Sequence, residues 1–135
     1  MLALMVSLLV QSPPPFPVRT LDRGAASGIE TARRVVVRTA DEWASLWRAH
    51  APARQAPAVD FSREMVVGVF LGGRTTAGYS VTVVDAAERD GVLVVRYVEK
   101  RPDPGAVTAQ ILTEPYHLAA VPRHPGEVRF EEIEQ

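Results

Sequence analysis

Seven consecutive residues without a polar side chain, Met65-Val66-Val67-Gly68-Val69-Phe70-Leu71, constrain this chain more than any other feature. Successive side chains of a strand point to opposite faces. An unbroken apolar run therefore suits a central strand covered on both faces. A covering element for one face is visible upstream. Thr39-Ala40-Asp41-Glu42 has the form of a capping box, with Thr39 as N-cap and Glu42 at the third helical position. Trp43, Leu46 and Trp47 follow at i, i+3 and i+4, an apolar stripe on one helical face. Pro52 ends the pattern, which predicts one helix over residues 40–50.

Almost everything after residue 60 reads as β. Tyr79, Val81 and Val83 alternate with Ser80 and Thr82. Asp90-Gly91 is a strong hairpin signal, and Leu93, Val95 and Tyr97 share one face of the return strand. Further strands are expected over 34–38, 106–112 and 116–121, with a last short one at Val128 and Phe130. Strands joined by short turns pair antiparallel. The expected fold is α+β: one amphipathic helix packed on a mostly antiparallel β-sheet or small β-sandwich.

Residues 1–12 have the features of a signal peptide. Leu2 to Val10 is apolar except for Ser7. It is too short to span a bilayer, which takes roughly 20 apolar residues, and has the length of a signal-peptide core. Val10 and Ser12 are small enough for a cleavage site, although no Lys or Arg precedes the run. Residues 13–31, rich in Pro, Gly, Ala and Ser, read as a linker with a short strand or edge segment near Ile29. Residues 32–135 form the domain. The expected location is extracytoplasmic, periplasmic or secreted, with no stable transmembrane span in the mature chain.

Composition narrows the function classes. There is no cysteine, which excludes disulfides, thiol catalysis and anchoring through a lipidated Cys. Fifteen basic against sixteen acidic residues leave a net charge of −1, without the basic field that nucleic acid requires. No GxGxxG or GxxxxGK phosphate loop occurs, and no GxSxG or HExxH. His50, His117 and His124 have no suggestive spacing to a serine or carboxylate, and a structural or surface role is expected for each. Asp41 and Glu42 are explained by capping, Glu88 and Asp90 by the hairpin. No catalytic, metal or cofactor residues are assigned, and a non-enzymatic role is expected.

Two loops carry more information. Gly72, Gly73 and Gly78 permit backbone conformations closed to other residues, with Thr75 and Thr76 between them. Pro102 and Pro104 stiffen the second loop, which lowers the entropy lost on binding. In an antiparallel sheet the two loops can lie at the same end. Arg74, Thr75, Thr76, Gly78, Tyr79, Pro102 and Pro104 are therefore the candidate contacts for a protein partner.

The segment Asp60-Phe61-Ser62-Arg63-Glu64-Met65-Val66-Val67-Gly68-Val69-Phe70-Leu71-Gly72, followed by Arg74-Thr75-Thr76-Ala77-Gly78-Tyr79-Ser80, resembles the PrcB C-terminal domain family. Pro102-Asp103-Pro104-Gly105-Ala106-Val107, Thr113-Glu114-Pro115-Tyr116 and the helix with Glu42-Trp43 and Leu46-Trp47 extend the likeness over residues 33–131. Thr76-Ala77 stands where the family turn has Gly-Gly, and there is no lipobox Cys. The resemblance implies a non-catalytic subunit of an extracytoplasmic protease complex, with a protease as partner. Thr75-Thr76-Ala77-Gly78-Tyr79 and Arg101-Pro102 are also similar to loops of chagasin-type cysteine-protease inhibitors, which implies a loop-wedge inhibitor as an alternative. A third expectation, a small-ligand or carbohydrate-binding β domain, rests on Tyr79, Tyr97 and Tyr116 as stacking faces.

Overall fold

The structure, a computed structural model, describes residues 14–134. The expected signal peptide, residues 1–12, lies outside the described residues. The elements in chain order are β1 (Arg19–Gly24), β2 (Arg33–Val37), α1 (Ala40–His50), β3 (Glu64–Phe70), β4 (Ser80–Arg89), β5 (Val92–Lys100), β6 (Tyr116–Pro122) and β7 (Val128–Glu132). They form two sheets, one ordered β1-β6-β3-β2 and the other β4-β5-β7. All pairings are antiparallel except β5 with β7, which is parallel. The fold is an α+β sandwich with α1 on the outer face of the four-stranded sheet.

The apolar run occupies the position its composition demands. β3 lies between β6 and β2. Met65, Val67, Val69 and Leu71 face the second sheet and pack with Val81, Val83, Leu93, Val95 and Tyr97. Val66 and Phe70 face α1 and pack with Trp43, Leu46 and Trp47. Gly68 belongs to the helix-facing side. A Cβ there would lie 2.5 Å from Leu118 Cδ2 and 2.9 Å from Val35 Cγ2. The missing side chain lets these two cross-strand neighbours close over the strand beneath the helix.

The helix bounds match the sequence expectation. Thr39 Oγ1 accepts the Glu42 N–H at 3.2 Å and donates to Glu42 Oε1 at 3.1 Å. The loop after α1 is stapled by both indoles. Trp43 Nε1 donates to Pro57 O at 3.0 Å, and Trp47 Nε1 donates to Arg54 O at 2.7 Å. At the β4–β5 hairpin, Asp90 and Gly91 have φ of 51° and 81°, the pair of positive values a two-residue type I′ turn needs.

Three expectations are corrected. The 13–31 segment is not only a linker, because it contains β1, which pairs with β6. Its Arg-Thr-Leu-Asp-Arg-Gly sequence lacks apolar alternation since most of its side chains make polar bonds rather than fill a core. Arg19 pairs with Glu64, and Arg23 reaches β4. The folded unit thus begins upstream of residue 32. Ile29 is not in a strand, yet it is buried in the helix-side core. The 106–112 segment is not a strand either. It is an exposed connection, because no neighbouring strand continues a ladder along it. Among the described residues, no helix is long and apolar enough to cross a membrane.

Candidate protein-binding surface

The chain leaves β3 through a loop whose backbone is held from three sides. Gly72, at φ 79°, passes so close to the 30–32 segment that a Cβ would meet Ala32 N at 2.9 Å. Arg74 and Thr113 exchange backbone hydrogen bonds of 2.7 and 2.9 Å. Ala77 N–H donates to Ala109 O, and Thr113 Oγ1 donates to Thr76 O, each at 3.0 Å. Gly78, at φ 99°, lies against Pro102, whose Cγ would be 2.8 Å from an added Cβ. The two loops are therefore neighbours at one end of the sandwich, and the 106–113 segment straps them together.

The candidate contact residues separate within this arrangement. Arg74 turns inward. Its guanidinium pairs with Glu99 at 2.9 Å, donates to the Leu71 and Gly73 carbonyls at 3.1 Å, and stacks over Tyr79. The Glu99 side chain is only 10% exposed, so this carboxylate is part of the loop's scaffold rather than a solvated charge. Thr75, Gly78 and Pro104 are exposed, whereas Thr76, Tyr79 and Pro102 are half-buried. Sequence reasoning missed the most exposed apolar side chains of this end. Val107 is fully exposed, Ile111 is 55% and Leu112 66% exposed. Their alternation with Thr108 and Gln110 looks like a strand, which concealed a presented loop. Burying such side chains yields about 25 cal/mol per Å², and exposed apolar patches mark interaction sites.

A polar cluster lies under the C-terminal end of α1. Ser27 Oγ is 2.7 Å from His50 Nδ1, and His50 Nε2 is 2.9 Å from Asp22 Oδ2. Arg54 donates to the same carboxylate oxygen at 2.8 Å. The order serine–histidine–carboxylate is that of a nucleophile triad, and no sequence spacing announces it. Here the serine is 6% exposed, its oxygen also accepts the Ile29 N–H at 3.0 Å, and the ring packs against Trp47, Phe70 and Tyr116. The cluster ties β1 and its following loop to the helix end. Burial alone would push Asp22 up, but hydrogen bonds from Arg54, His50 and Tyr116 with the Arg54 charge outweigh it and hold the carboxyl below its ordinary range. Burial and the Asp22 carboxylate push Tyr116 up.

The tie is tight at Gly28. Its N–H donates to His50 O at 2.7 Å, and a Cβ would lie 2.4 Å from Ala49 O. Backbone has to move to admit even a methyl group. Gly28→Ala is expected to cost about 1–3 kcal/mol, measured as a shift in the urea midpoint. A neutral result would show that the loop is not anchored to the helix end.

The other histidines are buried structural groups rather than surface ones. Val83 N–H donates to His117 Nδ1 at 2.8 Å, and His117 Nε2 is 2.9 Å from Thr20 Oγ1. β4 has a register shift between Val83 and Asp85. His117 therefore satisfies a donor beside a bulge and links the two sheets. Burial, then the nearby Arg23 charge, lowers it to about 4 from its ordinary 6.5. His124 Nδ1 accepts the Gly126 N–H at 3.2 Å. Among the described residues no three His, Cys, Asp or Glu side chains converge to hold a metal ion.

A family model described as PrcB C-terminal matches residues 65–122. That segment runs from β3 through β6 and includes both loops and the strap between them. It is narrower than the 33–131 span of the sequence resemblance, and leaves β1, β2, α1 and β7 outside. Neither the curated proteins nor the solved structures gave a match. The β3–β6 segment of this chain, which builds the loop surface, is thus similar to the PrcB C-terminal family.

Proposed function

We propose that the chain is a non-enzymatic, extracytoplasmic protein-binding domain that acts as an accessory or stabilising subunit of a secreted protease complex. The observation that carries this reading is the strapped loop end. Within the segment that matches the family, a hydrogen-bonded scaffold presents Val107, Ile111 and Leu112 to solvent beside Thr75 and Pro104. Such a surface binds through apolar burial on a pre-ordered backbone, so little ordering entropy is lost. The similarity to the PrcB C-terminal family over residues 65–122 directs the choice of partner toward a protease. The apolar run of residues 2–10 supports export.

The two alternatives fit the geometry less well. A wedge inhibitor needs free loop tips, and the 72–78 loop is bonded along its length to residues 109 and 113. A glycan platform needs open aromatic faces. Tyr97 and Tyr116 are each 3% exposed, and Tyr79 is covered by Arg74.

Ile111→Asp and Leu112→Asp, at exposed positions, are expected to leave thermal stability unchanged. Each should reduce co-isolation of the secreted protease from the native host at least about tenfold, the effect of roughly 1.4 kcal/mol lost from an interface. Undiminished co-isolation with both variants would remove this surface from the contact, and isolation of no protease by the unaltered chain would remove the protease reading itself.

A further inference from the structure

A two-sheet sandwich has four edge strands, and each edge exposes backbone groups that can pair with another chain. Here three edges are blunted. On β4, Arg23 Nε donates to Val81 O at 3.0 Å, His117 takes the Val83 N–H, and Phe16 N–H donates to Ala86 O at 2.7 Å. β1 is interrupted by a register shift between Thr20 and Asp22. β7 carries Glu131 and Glu132, and both lie on its solvent-exposed part. The outer edge of β2 carries the charges of Arg33 and Arg34 at its start, but neither a register shift nor, among the described residues, a bond that occupies its backbone. Its register with β3 is regular from Arg33 to Val37, and among the described residues no hydrogen bond from elsewhere engages its backbone.

A groove of about 500 Å³ runs along that open edge, between β2 and α1. Its wall on the helix is the stripe Glu42, Ser45, Leu46 and Ala49, spaced by three and four residues. Ser45 and Ala49 are small and exposed, which leaves room above the buried Val35, Val37 and Leu46. The charge at one end is unbalanced. Arg34 is engaged with the Tyr97 hydroxyl, and Arg38 donates to His124 O and Gly126 O. Arg33 lies on the helix-side face with Val35 and Val37, is exposed, and makes no hydrogen bond or ion pair among the described residues.

We propose that this groove takes up an extended, acid-bearing segment of a protein partner, which adds to the four-stranded sheet beside β2 with its carboxylate against Arg33. An open edge supplies backbone hydrogen bonds, and the adjoining helix receives alternate side chains, the general physics of strand addition. A carboxylate at Arg33 forms a charge-assisted bond that a lysine at the same place would oppose. The inference is independent of the protease reading, since it concerns a different face and needs no particular partner.

The test uses the purified chain and two end-blocked, fluorescein-labelled decapeptides of alternating valine and threonine, one with a central glutamate and one with lysine in its place. Saturable binding of the glutamate probe is expected, with the lysine probe at least about tenfold weaker. Ser45→Trp and Ala49→Trp, which fill the groove from exposed helix positions, should each weaken binding at least about tenfold. Arg33→Glu should invert the preference between probes, and amides of residues 33–37 should gain hydrogen-exchange protection on binding. Absence of saturable binding by either probe would overturn the proposal, as would binding indifferent to both tryptophan variants. Concentration-dependent self-association of the free chain, lost in Ala49→Trp, would overturn it in favour of a second copy. None of these measurements contains a protease, so they fail or succeed separately from the co-isolation experiment.

Discussion

Trp47→Ala is expected to lower the unfolding free energy by about 3–5 kcal/mol. The ring is 5% exposed and lies 5.4 Å from Trp43 and 5.0 Å from His50, centroid to centroid. It also carries the hydrogen bond that closes the loop after the helix, from Nε1 to Arg54 O. Removing it opens a cavity between α1 and β3 and leaves that carbonyl without its partner. Trp47→Phe separates the two effects. It retains much of the apolar volume and loses the donor, and should cost less than the alanine variant. Trp43→Ala belongs to the same size class, because Trp43 is equally buried and donates to Pro57 O. Urea unfolding monitored by circular dichroism reads all three. Near-zero loss in both alanine variants would mean that α1 is not docked through this stripe.

Acidification between pH 6.5 and 4 is expected to remove about 3 kcal/mol of stability through His117 alone. The native ring sits at about 4 and the unfolded one at 6.5. In that window the unfolded chain binds a proton that the native fold refuses, so stability falls as pH falls. The slope is about 1.4 kcal/mol per pH unit. The cause is geometric. Nδ1 must stay unprotonated to accept the Val83 N–H, and the ring is buried beside the Arg23 charge. His117→Gln keeps a side-chain acceptor and should flatten the pH dependence over this range, although packing differences lower its absolute stability. Carboxylates act in a lower window. Asp85 is held down by Arg96 against the opposing effect of burial, and Asp22 by Arg54, His50 and Tyr116 against a larger one. Their stabilisation is lost only as pH falls below the ordinary carboxylate value of 3.8. Equal slopes for the original chain and His117→Gln between pH 6.5 and 4 would contradict the assignment.

The parts of this fold that were legible in the sequence are those in which local chemistry and tertiary role agree. The capping box at Thr39, the Trp43/Leu46/Trp47 stripe, the covered run at 65–71 and the Asp90-Gly91 turn each specify an element through its own residues. β1 was not legible because its strand character comes from β6, while its side chains are spent on ties to Glu64, β4 and α1. The 106–112 segment misled for the converse reason. Its alternation is strand-like, but Pro104 and Pro115 bracket a stretch that makes only isolated backbone bonds, at Ala109 and Thr113, and no strand ladder.

The candidate surface was legible in outline only. The adjacency of residues 72–78 and 101–105 follows from antiparallel order, and the structure brings them together at Gly78 and Pro102. Within it, Arg74 turns out to secure the loop rather than face outward, because Glu99 and two carbonyls surround it. An arginine next to a glycine pair looks the same in sequence whether it serves solvent or scaffold. The Asp22–Ser27–His50 cluster was invisible for a similar reason, since its members come from a strand, a loop and a helix end with no characteristic spacing.

The proposed role of the strapped loop end is to support a secreted protease. The most direct measurement is the lifetime of that protease's activity in reconstitution, with and without the purified chain and with the Leu112→Asp variant. A longer-lived activity is expected with the original chain, with no reduction in initial rate and with loss of the effect in the variant. An unchanged lifetime, or a reduced initial rate that the variant relieves, would contradict it, the second outcome pointing to an inhibitor instead.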